Sequence, residues 1–132
     1  MSILVRCAAI IIQNRSLLLV RKPDSPLFML PGDQPAAGED HLSCLRRELY
    51  ETLRGEIQTF RPFGLFFSRD AQGSLTIENH VYQVGLSGQP ALDINILAMA
   101  WVNHRQPPCE IPIGPVYRDN VMPLLYQQEL ID

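Results

Sequence analysis

The chain has 132 residues, 46% of them apolar and 19% charged, a length and balance that suit one self-folding domain over residues 1–132 and exclude a disordered chain. Fourteen acidic residues against eleven basic ones leave a net charge of −3, which excludes the basic field that gathers a nucleic-acid polymer. A small polyphosphate stays within reach of an acidic protein when a divalent cation stands between its carboxylates and the phosphates.

The apolar opening, Ile3 to Ile12, carries Arg6 and ends in Gln13-Asn14-Arg15. It is too short for a membrane span and lacks a small-residue cleavage pattern, so a buried strand and a cytoplasmic protein without a membrane partner are expected. Leu4 to Gln13 and Leu17 to Lys22 are rich in β-branched and leucine residues, and Asn14-Arg15-Ser16 between them predicts a tight hairpin. Pro23-Asp24-Ser25-Pro26 then imposes a loop, and Leu27 to Leu30 reads as a short extended piece before the turn at Pro31-Gly32-Asp33.

The period changes at Asp40. Leu42, Leu45, Leu49 and Leu53 recur every three or four residues, which predicts a helix over about 40–54, with Asp40 as its N-cap and Gly55 in the left-handed position after its end. Residues Glu56 to Arg69 and Ser74 to Leu86 read as two strands around the Asp70-Ala71-Gln72-Gly73 turn. One more strand is expected around Trp101. Pro107, Pro108, Pro112 and Pro115 predict an irregular crossing, and Asp119 to Leu130 a closing helix with Val121, Leu124, Leu125 and Leu130 on its apolar face. The order of elements fits an α+β (α/β) architecture, an α/β/α sandwich around a mixed central sheet.

Three cysteines, Cys7, Cys44 and Cys109, show neither CxxC nor Cys/His spacing, so reduced thiols are expected rather than disulfides or zinc ligands. His41, His80 and His104 are scattered and lack a nucleophile motif, and His41 reads as a surface residue early in the helix. The informative group is Glu39, Arg47, Glu48 and Glu51. Residues three or four apart share a helix face, so Glu48 and Glu51 are expected to form one acidic edge and Arg47 to be able to pair with Glu51. Spacing alone leaves two readings open, a hard-oxygen site for a divalent cation and a solvated polar face opposite the leucine stripe.

Leu30-Pro31-Gly32-Asp33, Gly38-Glu39 and Arg47-Glu48-Leu49-Tyr50-Glu51 together resemble the Nudix box, Gx5Ex7REUxEExGU, with no insertion. Glu39, Arg47, Glu48, Leu49 and Glu51 keep the pattern. Asp33 stands at the first Gly, Thr52 at the second acid of the Glu-Glu pair, Arg54 at the second Gly and Gly55 at the closing aliphatic position. Similarity extends to Leu18-Leu19-Val20-Arg21-Lys22, Phe28, the late Trp101-Val102 and Pro123-Leu124-Leu125, while Asn95 to Ala100 lacks the acids that many relatives carry before the tryptophan.

The resemblance implies a Nudix-like domain that hydrolyses a nucleoside diphosphate linked to another moiety with the aid of Mg²⁺ or Mn²⁺. It assigns Glu48 and Glu51 as metal ligands with Glu39 in support, Glu48 as the holder of the attacking water, and Arg47 as the group orienting the carboxylates. Arg21, Lys22 and Phe28 become candidates for substrate binding, with Arg21 and Lys22 near phosphate and Phe28, like Tyr82, offering an aromatic face. The strand-end and core readings of these same residues remain open. Thr52 supports the alternative of a nucleotide-binding or regulatory module with impaired catalysis. A homodimer is the general expectation for assembly.

Overall fold

The computed structural model describes residues 3–70, 72–91, 96, 98–103, 105 and 111–132. Asn95, Leu97, His104, Pro107, Pro108 and Cys109, which entered the sequence reading, lie outside the described residues.

The first strand, β1 (Ile3–Ile10), gives way at Ile11 to β2 (Ile12–Gln13), which turns through Asn14-Arg15 into β3 (Ser16–Arg21). Asn14 and Arg15 both have positive φ, 50° and 58°, the backbone of a two-residue hairpin turn whose twist matches that of its strands. The chain reaches β4 (Gly32–Asp33), then helix α1 (His41–Leu53), the long hairpin β5 (Glu56–Arg69) and β6 (Thr76–Ser87), and β7 (Ala98–Val102). One sheet has the order β4-β1-β6-β5 and a second has β2-β3-β7. β1 runs parallel to β6 and antiparallel to β4, which makes the larger sheet mixed as expected.

Period-two alternation sends the side chains of β1 and β3 to two cores. Ala8, Ile10, Leu17 and Leu19 pack with Phe28, Leu30, Tyr117, Val121, Met122 and Leu125 beneath the C-terminal segment. Cys7, Ala9, Ile11, Leu18 and Val20 pack with Cys44, Leu45, Leu49 and Leu53 of α1. The two cores define the α/β/α layering predicted from the sequence.

The closing helix begins earlier than expected and is irregular. Residues 115–127 are helical throughout, and a π-helical stretch, Tyr117–Val121, runs directly into α2 (Met122–Gln127), with Pro123 just after the widened turn. No helix among the described residues is long and apolar enough to cross a membrane.

Asp40 caps α1 as predicted, its carboxylate accepting from the Ser43 N–H at 2.7 Å. The other end differs from expectation. Arg54, not Gly55, takes the left-handed conformation with φ 56°, while the N–H groups of Arg54 and Gly55 reach back to the Tyr50 and Leu49 carbonyls. Gly55 answers to packing, because a Cβ there would lie 2.9 Å from Leu86 Cδ1.

Candidate functional site

Gly32 starts the site. A Cβ at this residue would stand 2.1 Å from the Cys7 carbonyl oxygen, so only glycine lets β4 lie against β1. Asp33, at the next position, is not among the residues with positive φ, and its side chain is therefore tolerated where the box pattern has glycine. The Asp33 carboxylate accepts from the Gln34 N–H at 2.7 Å and from Arg47 at 3.3 Å. Burial works against its charge, and the Gln34 N–H, Arg47 and Lys22 together hold it below the ordinary aspartate range.

Arg47 anchors α1 to the loop before it. Its Nε and Nη2 each donate at 3.0 Å to one oxygen of Glu39, whose Oε1 also accepts from the Ala36 N–H. The Arg47 bonds and then the Ala36 bond lower the Glu39 pKa to about 2. The sequence-based pairing of Arg47 with Glu51 is thus corrected: the fork of the guanidinium reaches two carboxylates that precede the helix, Glu39 in the loop and Asp33 at the end of β4, and the arginine is committed to them.

The shared acidic edge of Glu48 and Glu51 is corrected as well. α1 buries Cys44, Leu45, Glu48, Leu49, Thr52 and Leu53, so Glu48 is 3% exposed on the inner face while Glu51 is exposed to solvent. Lys22, at the end of β3, answers the buried charge with its Nζ 2.7 Å from Glu48 Oε1. The contact is short but poorly aligned as a hydrogen bond, since Oε1 has no directed hydrogen-bond partner. Burial pushes the Glu48 pKa up and Lys22 partly offsets it. Lys22 Nζ also donates to the Gly32 carbonyl at 3.2 Å. Thr52 is 4% exposed, and its hydroxyl turns back along the helix to donate to the Glu48 carbonyl at 2.6 Å.

The substrate candidates separate. Phe28 is buried in the core beneath the C-terminal segment, with the Arg21 guanidinium 5.9 Å from its ring centroid. Its ring is a packing element, and the core reading holds. Tyr82 likewise stacks on Phe60 at 4.5 Å and places its hydroxyl 2.6 Å from His41 Nδ1. His41 is partly buried, with its ring centroid 4.6 Å from that of His80, which corrects the expectation of scattered histidines and a surface His41. Cys7 and Cys44 are free and buried as anticipated.

Sequence reasoning missed the cleft. A hollow of about 800 Å³ opens on the sheet face opposite α1, bordered by Arg6, Met29, Phe67, Asn79, Tyr117 and Asn120. Arg6 donates to Tyr117 Oη at 3.0 Å and to the Leu30 carbonyl at 2.7 Å, and Tyr117 Oη donates to Asn79 Oδ1 at 3.0 Å. Asn79, 1% exposed, completes the network by donating to Ser68 Oγ and the Phe66 carbonyl. Arg6 is also close enough to Glu48 to favour its charged form, so this one arginine links the cleft to the buried acid, while Lys22 meets the acid from the end of β3. The one available signal was a lone arginine inside an otherwise apolar strand.

Solved structures match this chain over nearly its full length. The MutT Nudix hydrolase of Burkholderia pseudomallei superposes with a TM-score of 0.77 at 20% identity, covering 97% of this chain and 98% of that one. The E. coli ORF135 protein gives 0.72 at 24%, covering 98% and 90%. The NUDIX domain of Shewanella oneidensis NrtR, in complex with ADP ribose, gives 0.75 at 17%, also covering 98% and 90%. The chain has the Nudix fold. No protein-family sequence model and no curated protein matches it, so the likeness is one of structure.

Within the Nudix fold the donor set bears on metal binding. Among the described residues no group of three or more His, Cys, Asp or Glu side chains is arranged to hold a metal. Glu39 is taken by Arg47, and the Thr52 hydroxyl by its own helix. Glu48 Oε1 nevertheless lacks a directed partner and faces the same ammonium as the Gly32 carbonyl. Two hard oxygens turned toward one positive charge fit a divalent cation, with Glu51 the next carboxylate along α1.

Proposed function

We propose that this chain is a divalent-metal-dependent hydrolase of a nucleoside diphosphate linked to another moiety, with a weakened metal site. The observation that carries the reading is Glu48, a carboxylate buried on the inner face of α1 and held against Lys22, with Arg6 of the cleft border near enough to favour its charge. A buried acid is costly to keep without a task, and carboxylates whose charge is opposed by burial and answered by a specific cation concentrate where chemistry needs them.

Each residue then has a role. The cleft takes the nucleoside part, and Lys22 and Arg6 meet the phosphates. Glu48 and Glu51 would hold Mg²⁺ or Mn²⁺, and that ion supplies positive charge against the diphosphate when bound. Glu48 accepts a proton from the attacking water. Arg47 positions Glu39 and Asp33 and so fixes the loop that leads into α1. The ADP ribose complex of the Shewanella domain supports a nucleoside diphosphate derivative as ligand class, and the match to a UDP-X diphosphatase, with a TM-score of 0.76 at 18% identity, supports cleavage of a diphosphate.

A second reading, a nucleotide-binding module without turnover, is favoured by Thr52 and by the engagement of Glu39 and Glu48 with internal cations. The two part in a hydrolysis assay on nucleoside triphosphates, nucleotide sugars and dinucleoside polyphosphates, with Mg²⁺, Mn²⁺ or chelator. The hydrolase reading expects metal-dependent release that Glu48→Gln abolishes. Tight nucleotide binding with no release under either metal supports the module.

A further inference from the structure

Lys22 is the only lysine of the chain, against ten arginines. Its ammonium lies 2.7 Å from Glu48 Oε1 and 3.2 Å from the Gly32 carbonyl oxygen, with 31% of its side chain exposed while that of Glu48 is 4% exposed. A primary ammonium is a compact charge on a flexible stem, and two oxygens from different elements converge on it as they would on a metal ion.

We propose that Lys22 is an internal cation that occupies the Glu48–Gly32 oxygen pair in the metal-free protein, and that a divalent ion must displace it. The inference rests on the metal-dependent reading above and deepens it. Arg47 cannot take this part, because its guanidinium is fixed on Glu39 and Asp33. Lys22 is free to leave: its stem is partly exposed, and its contact with Glu48 is short without being directional. Displacement frees its positive head to face an incoming phosphate, so metal entry and substrate capture are coupled through one side chain. Because Thr52 supplies no third carboxylate, competition from Lys22 weighs more here than at a site with a full complement of acids.

The test is direct Mn²⁺ binding to the full chain without nucleotide, followed by the electron-paramagnetic-resonance signal of free Mn²⁺. Lys22→Met, which keeps the stem and removes the charge, is expected to bind Mn²⁺ about tenfold or more tightly than wild type, the scale on which groups beside metal ligands act. Lys22→Gln is expected to move the same way, and it carries the test alone if Lys22→Met fails to fold. A merely structural role would weaken Mn²⁺ binding in both variants. Equal or weaker binding in folded variants overturns the inference and leaves metal dependence standing. Absence of Mn²⁺ binding in wild type and variants at millimolar concentration overturns both. Acylation of the sole lysine gives a second readout: Mn²⁺ is expected to raise labelling of Lys22 relative to the α-amino group, and no rise overturns the displacement.

Discussion

Restoring the missing box acid, Thr52→Glu, has a consequence for stability that precedes any effect on turnover. Thr52 is 4% exposed and its hydroxyl satisfies the Glu48 carbonyl at 2.6 Å. A carboxylate in its place loses that bond and adds a second negative charge beside Glu48, which burial already pushes toward the protonated form. Lys22 is engaged by Glu48 and the Gly32 carbonyl, and Arg6, the other cation near Glu48, is held by Tyr117 and the Leu30 carbonyl. An uncompensated buried charge of this kind costs about 3 kcal/mol, and for a chain of this length that lowers Tm by about 10–12 °C. The same charge completes the metal site. Mn²⁺ at roughly 100 times its Kd returns about 2.7 kcal/mol, so the variant should melt well below wild type in chelator and recover most of the difference in Mn²⁺. Thermal melts by circular dichroism at pH 7.5, with and without metal, read both effects. A variant as stable as wild type in chelator, or one whose Tm ignores Mn²⁺, refutes the reasoning.

Other expectations come from the same geometry. Tyr117→Phe strands the buried Asn79 Oδ1 and removes the acceptor of Arg6 Nε, a loss of about 2–3 kcal/mol in urea denaturation; a loss under about 1 kcal/mol would remove the network from the account of the cleft. The folded pKa of Glu39 lies below its ordinary value of 4.5, so its contribution to stability is complete above pH 4.5 and is lost as pH falls through about 2. Carboxyl NMR titration should place its midpoint near 2, and Arg47→Met should return it toward 4.5. Burial, and then His80, lower the His41 pKa from 6.5. Its contribution is therefore present above pH 6.5 and declines as pH falls through the lowered folded value, so His41→Gln should flatten the loss of stability between pH 7.5 and 5.5; an unchanged slope argues against it.

Much of this arrangement was legible from residue order. The leucine recurrence and Asp40 located α1 because helix period and capping are local properties. Asn14-Arg15 and the Asp70 to Gly73 turn located the hairpins for the same reason. The break at Ile11 between two sheets was not legible, since an unbroken apolar run reads as one strand. Nor was the environment of Glu48. Whether a helical acid faces inward depends on what packs over it, and its partner Lys22 arrives from β3, 26 positions away in the chain. The Arg47 clamp was misassigned because a guanidinium reaches several carboxylates and spacing within the helix favours the one at i+4. Arg6, Tyr117 and Asn79 meet only through tertiary contact between β1, β6 and the C-terminal segment, so the cleft they border had no local sequence pattern.

The measurement that bears most directly on the central claim is a single-turnover experiment with enzyme in excess over a radiolabelled nucleoside diphosphate derivative, run in Mn²⁺ and in chelator, for wild type and Glu48→Gln. With enzyme in excess, even a slow hydrolase converts its substrate once. Wild type is expected to yield cleaved product in Mn²⁺ alone and Glu48→Gln none; intact nucleotide recovered from wild type that demonstrably binds both it and Mn²⁺ would contradict a hydrolase.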